Sequence, residues 1–545
     1  MNIMKCFSTF FLLILCFPIS LFAQKEVKIW DKYEAEFKSS KSYENPIYQV
    51  NQFEVVFISP TGRERIVYGF WDGGNSWKVR FMPDELGGWS WTTTCSDKEN
   101  SGLNEKTGSF ICVEHDSKLN IYQHGAITHP KGKYYLAYND GTPFFWVACT
   151  AWNGALKSTD EEWETYLTHR RDHNYNLIQL VTTQWRGCDV SSDGLAASEG
   201  SGEITIHPEF FKRIDQKIDE VNSYGLVASP VILWALHVAQ GRYLSPGYHL
   251  PIDEAVILAK YIVARYQGNH VIWTLGGDGK YYDDLEDRWK KIGQEVFNGI
   301  DHAPVTLHPH GSSYVGRIYE DELWYDLMGY QSSHNNGERV VNWINKGPMA
   351  NDWDKLKPMP YINMEPNYEE IQFKIDAEDV RNASWWSIFA TPIAGITYGA
   401  NGIWPWLRDG EKILNHRDAP GTSTWRTSID FPGSIQVGYL SEFIHNTDWW
   451  NYYPAPELLV SQPGDEVYNA FVPVVAKEDK SSIMVYIPKS CTIEIRNPLL
   501  LEYETTWFNP QTGKSEKADS ITNGSKILIN QSREGDWVLK FDAKK

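Results

Sequence analysis

Two acidic residues stand where apolar runs give way to glycine or proline. Asp278 closes Leu275-Gly276-Gly277-Asp278, and Glu365 lies in Ile362-Asn363-Met364-Glu365-Pro366. Two carboxyl groups flanking a bound sugar can break a glycosidic bond. One, as the acid, protonates the departing oxygen; the other attacks the anomeric carbon or activates water. Singly, each reads as an ordinary turn aspartate or strand-ending glutamate, so the chemistry rests on the pair. Other strand-end positions are polar or aromatic: Trp152, Gln184, Trp185, His237, His308, His310, Gln331, His334 and Trp404. Indole faces stack on sugar C–H surfaces and polar edges bond hydroxyls, so these nine are the expected substrate contacts. His308 and His310 alternate on one strand end. Neither a nearby cysteine nor a second ligand pair at metal spacing accompanies them, so sugar hydrogen bonding is expected and no metal or cofactor.

Such a pair needs a scaffold that brings distant segments to one cleft. The middle of the chain alternates short apolar runs with helical stretches, the pattern of parallel strands and crossover helices. The strand candidates are 144–148, 177–181, 227–233, 271–275, 304–307, 327–330, 360–363 and 395–398. Most are continuous apolar runs, as expected for strands buried on both faces. Thr159 should cap a helix beginning Asp160-Glu161-Glu162, Pro208 should open another, and Asp253-Glu254 a third. Eight such units predict a (β/α)8 barrel, whose functional groups sit past the C-terminal strand ends. Asp278 and Glu365 then end the fourth and seventh strands, on opposite sides of one mouth. An open doubly wound sheet is the structural alternative, but no glycine-rich phosphate loop follows the first strand.

The flanks have a different texture. Residues 24–116 and 453–545 carry short alternating strands divided by Pro and Gly, which predicts a β-sandwich on each side of a barrel over 117–452. Residues 1–23 read as a secretory signal, with Lys5, the apolar run 10–15 and cleavage after Ala23. Lipidation at Cys16 is the alternative, with Leu15 a poor preceding residue. A secreted or periplasmic protein is therefore expected. The net charge of −19 disfavours nucleic acid and anionic membranes as partners, and no mature segment could span a bilayer. The 24 Trp and 30 Tyr suit a carbohydrate partner, though aromatic sandwich cores also account for some of them. Five cysteines remain after the signal, scattered and odd in number; Cys95 and Cys112 are the pair that could join across a hairpin.

Several motifs carry a resemblance. Phe144-Phe145-Trp146 with Thr150-Ala151-Trp152, and Asn269–Trp273 running into Gly276-Gly277-Asp278, cover its first half. His308-Pro309-His310-Gly311, Glu365–Glu369, and Thr397-Tyr398-Gly399 with Gly402-Ile403-Trp404 complete it. In this order they resemble the apiosidase-like glycoside hydrolases. The resemblance implies a retaining hydrolase of plant or algal poly- or oligosaccharides, with Asp278 as acid/base and Glu365 as nucleophile. It also implies an N-terminal sandwich of unassigned function and a C-terminal module of the collagen-binding type. Cys149 departs from the Gly-Asp that relatives often carry there, and the Gly/Ser-rich loop from Cys188 to Ile204 is individual to this chain. A barrel that only binds carbohydrate or matrix is the alternative. A metalloprotease would need a His-Glu-x-x-His motif that the chain lacks.

Overall fold

A computed structural model describes residues 25–416, 423–518 and 524–544; the expected signal lies outside them. Eight parallel strands form the central sheet: Trp146–Thr150, Leu177–Val181, Val227–Trp234, Trp273–Gly279, Val305–Pro309, Met328–Tyr330, Tyr361–Asn363 and Gly395–Ala400. Numbered first to eighth, they lie in the order 5-4-3-2-1-8-7-6. The eighth beside the first is the cyclic order of a barrel. At the remaining seam the Asp326 N–H donates to Val305 O (2.9 Å) and Thr306 Oγ1 donates to Leu327 O (2.9 Å), which stitches the fifth strand to the sixth. Crossover helices form as their caps predict. The Asp160–Asp172 helix opens on a reciprocal Thr159–Glu162 capping box, and Pro208 occupies the first turn of Pro208–Ser223.

Two strands are displaced from their expected places. The first begins at Trp146, because Pro143–Phe144 pairs instead with Leu136–Tyr138 in a small antiparallel sheet. An unbroken apolar run cannot show where one sheet hands over to another. The fourth strand runs on through three glycines to Gly279, so Asp278 belongs to the strand's irregular end and not to a loop beyond it.

Both flanks are β domains. In the N-terminal one, Glu64–Trp71 pairs through its first half with Phe53–Ile58 and through its second with Ser76–Phe81, so a single strand serves both layers. The Cys95–Cys112 pairing that the sequence left open is not formed; both thiols are free and buried. The hairpin register sets Cys112 opposite Gly87, at the other end of the strand that closes on Cys95. That spacing is roughly 27 Å at about 3.4 Å per residue, far beyond what a disulfide spans. The C-terminal domain packs a six-stranded sheet against a two-stranded one. It docks on the barrel through a buried Arg381–Asp536 ion pair (2.7 Å) and a Trp385–Tyr486 ring stack (5.7 Å between centroids).

Candidate active site

Asp278 reaches the mouth of the barrel through a distortion. Pairing between the fourth and fifth strands slips between Thr274 and Gly277 and again between Gly277 and Gly279, and Asp278 has φ +50°. A bulge with a left-handed residue re-aims one side chain at the cost of local strain, a device concentrated at functional sites. Gly277 makes room for it: a Cβ there would lie 2.7 Å from both Trp234 Cε3 and Val231 Cγ1.

Glu365 stands two residues past the seventh strand and is 8% exposed. Its Oε2 is 3.2 Å from His308 Nε2 and its Oε1 is 3.0 Å from His334 Nε2. His308 is fully buried, and its Nδ1 accepts from the Asp278 backbone N–H (3.3 Å). That bond places the ring proton on Nε2, facing the carboxylate. One imidazole thus ties the backbone of Asp278 to the side chain of Glu365. His334 Nδ1 donates to Pro366 O (2.7 Å), so both of its ring nitrogens face oxygen.

The two carboxyls diverge in acidity. Burial, then the negative charge of Glu365, raises Asp278 to about 7. Burial pushes Glu365 upward too, but its bonds to His308 and His334 outweigh that and hold it at about 2. Two carboxyls in one site with separated pKa values can work as acid and base at the same pH.

They share a cavity of about 310 Å3. Of the nine expected contacts, Trp152, Trp185 and Trp404 wall it, and Gln331 and His334 join the lining. Four other expected contacts lie elsewhere. His308 sits behind Glu365 and does not line the cavity, so its role is to hold the carboxylate. Gln184 does not line it either: its amide donates to Ser198 O (2.8 Å) and accepts from Ala197 N (3.0 Å), which ties down the Gly/Ser-rich loop. His237 and His310 stand on the flank, with ring centroids 5.7 Å apart.

Comparison with known proteins places this geometry in a family. Residues 130–451, more than half of the 545, match the apiosidase-like catalytic domain. The chain belongs to that family. It is a glycoside hydrolase. Residues 26–96 match a domain of unknown function (DUF5060), and 454–542 match a candidate collagen-binding domain of a collagenase. No curated protein matches. Among solved structures, one described as a glycoside hydrolase is 22% identical with TM-score 0.66, covering 78% of this chain and 98% of its own. A family 5 glycoside hydrolase from Bacteroides vulgatus is 21% identical with TM-score 0.68, covering 77% and 94%. A candidate glycoside hydrolase from the same organism is 16% identical with TM-score 0.70, covering 96% and 100%. At these identities the likeness concerns fold, and the third extends it to the flanking domains.

The apiosidase-like cavity also holds residues that strand-end reading passed over. Trp234 is the last residue of the third strand, and the same rule that chose His237 could have found it. Tyr368 lies inside the Glu365–Glu369 motif and packs 4.2 Å from the His334 ring. Arg186 follows Trp185, and its guanidinium donates to Asn415 O (3.2 Å). His416 enters from a loop far along the chain, 5.0 Å from the Trp404 ring, and nothing local in the sequence marks it. Buried Trp234 Nε1, Trp404 Nε1, Gln331 Oε1, Tyr368 Oη and Arg186 Nε have no protein hydrogen-bond partner. Five such atoms around one cavity suit a ligand dense in hydroxyls. The departing Cys149 is buried within the first strand, level with Ile178 and Tyr398.

Proposed function

We propose that this protein is a secreted retaining glycosidase of plant or algal poly- or oligosaccharides, with Asp278 as acid/base and Glu365 as nucleophile. The observation that carries the proposal is the opposite displacement of the two carboxyls within one aromatic-walled cavity. In the first step Asp278 gives its proton to the glycosidic oxygen. The bond from that oxygen to the anomeric carbon breaks as a Glu365 oxygen bonds to that carbon. In the second, Asp278 as carboxylate takes a proton from water, and the water oxygen displaces Glu365. His308 and His334 keep the attacking carboxylate ionised, and the tryptophans stack on the sugar and exclude water. Secretion is supported by the composition of residues 5–23, and no described helix is long and apolar enough to cross a membrane.

Hydrolysis of a panel of plant and algal oligosaccharides by wild type, Asp278→Asn and Glu365→Gln tests the assignment. NMR of the first-formed product should show the anomer of the substrate. Inversion removes the nucleophile role. Binding without cleavage by all three proteins would leave only a sugar-binding barrel.

A further inference from the structure

The chain has 24 Trp, 30 Tyr and 23 Phe, yet among the described aromatic side chains only two are exposed: Tyr243 at 66% and Tyr248 at 39%. Both lie in the segment after the third barrel strand, and that segment borders the cavity. A Cβ on Gly241 would come within 2.9 Å of the Cβ of Arg186, which lines the cavity wall. At the base of the segment, the Ala235 N–H donates to Gly277 O (2.8 Å), beside Asp278. A strip of rings leads outward from there. The His310 N–H donates to Gly279 O (3.0 Å), and His310 Nε2 bonds the Tyr282 hydroxyl (3.0 Å). The His237 ring then lies 5.7 Å from His310 and 6.3 Å from Tyr248. His237 Nδ1 is buried without a partner.

We infer that residues 237–249 form a sugar-stacking platform for the leaving-group side of an extended carbohydrate, with Tyr243 and Tyr248 as its rings. A lone exposed apolar side chain is unremarkable. Two exposed phenols on one segment, in a chain whose other described aromatics are buried or half-buried, fit a surface that a ligand covers. The side of the cleft follows from the chemistry. The acid delivers its proton to the oxygen that departs, so what extends past Asp278 meets the leaving sugars. The substrate class is then an oligo- or polysaccharide with at least one further sugar beyond the cleaved bond. This rests on Asp278 as the acid.

The test pairs Tyr243→Ala/Tyr248→Ala with Tyr243→Phe/Tyr248→Phe. One substrate is an oligosaccharide cleaved by wild type; the other is the glycosyl fluoride of the sugar it releases, whose leaving group is too small to reach the platform. The alanine pair should raise KM for the oligosaccharide about tenfold. Turnover of the glycosyl fluoride should stay within about twofold, and the phenylalanine pair should restore the oligosaccharide KM. Equal losses on both substrates, or none on either, overturn the platform and leave the hydrolase standing. If wild type cleaves nothing, the catalytic assignment fails, and native gels containing xylan, glucomannan or pectic galactan decide the platform separately. Retardation of wild type but not of the alanine pair supports it; equal retardation, or none, overturns it.

Discussion

Two buried charge clusters in this molecule are built on opposite principles. Where the N-terminal domain meets the barrel, Arg80 bonds Asp215 (2.7 Å), and Arg265 bonds both Asp215 (2.7 Å) and Asp72 (2.9 Å). Cations and anions alternate along Arg80, Asp215, Arg265 and Asp72, and the bonds and charges of Arg80 and Arg265 together overcome burial to hold Asp215 below its ordinary range. At the barrel mouth two carboxyls share one cavity; the histidines bond Glu365, and their weaker pull on Asp278 is outweighed by burial and by the charge of Glu365. Compensated charge joins two surfaces; uncompensated charge keeps one proton in place near neutrality. Both clusters are costly to bury, and only the second leaves a group ready to change its protonation state.

The contrast breaks most severely at Glu365. Glu365→Gln should lower kcat by ~10⁴-fold or more on any cleaved substrate, and Asp278→Asn by ~10²–10⁴-fold, with less loss for a good phenol leaving group. Steady-state kinetics on both leaving groups checks this; equal losses from both variants on both substrates would unseat Asp278 as the acid. At the other cluster, Arg265→Met leaves buried Asp215 with Arg80 alone and Asp72 with Lys78 alone. It should cost about 3–5 kcal/mol in urea unfolding while the folded fraction keeps its kcat. A loss of turnover in the folded protein would mean that the two clusters are coupled.

The smallest effects belong to pH. With Asp278 protonated below about 7, kcat/KM should fall about tenfold per unit above that value. His334→Ala should move the acid limb upward from about 2 toward the ordinary glutamate range near 4.5. Stability takes opposite signs at the two groups. Glu365, depressed on folding, contributes stability that is present above about 4.5 and lost as pH falls toward 2. Asp278, raised on folding, binds its proton more tightly in the folded state, so stability declines as pH rises from near 3.8 through 7. Unfolding midpoints of wild type and the two carboxyl variants across pH 2–8, a window chosen to span about these values, read both signs.

Much of the barrel could be read because its strands are covered on both faces and written as apolar runs; Leu177–Val181 lies where the pattern puts it. Asp278 and Glu365 were legible as acids interrupting such runs. Their neighbours were less so. His308 looked like a sugar contact because strand position says which end of the barrel a residue occupies, not whether a carboxylate already holds its ring. Gln184 has the right place and type, but its amide is used within its own loop. The cysteine pair failed on register, which alternation alone does not set.

The sequence by itself determined the layering of β domain, barrel and β domain, and the two carboxyls at the fourth and seventh strand ends. Periodicity and strand order are local or additive properties, and they survive translation into a string of residues. Only the tertiary structure decided how the carboxyls differ. The bulge at Asp278, the burial of both groups and the approach of His308 and His334 to Glu365 come from strands far apart in the chain. Electrostatic asymmetry depends on distance and desolvation, and neither exists until the barrel closes.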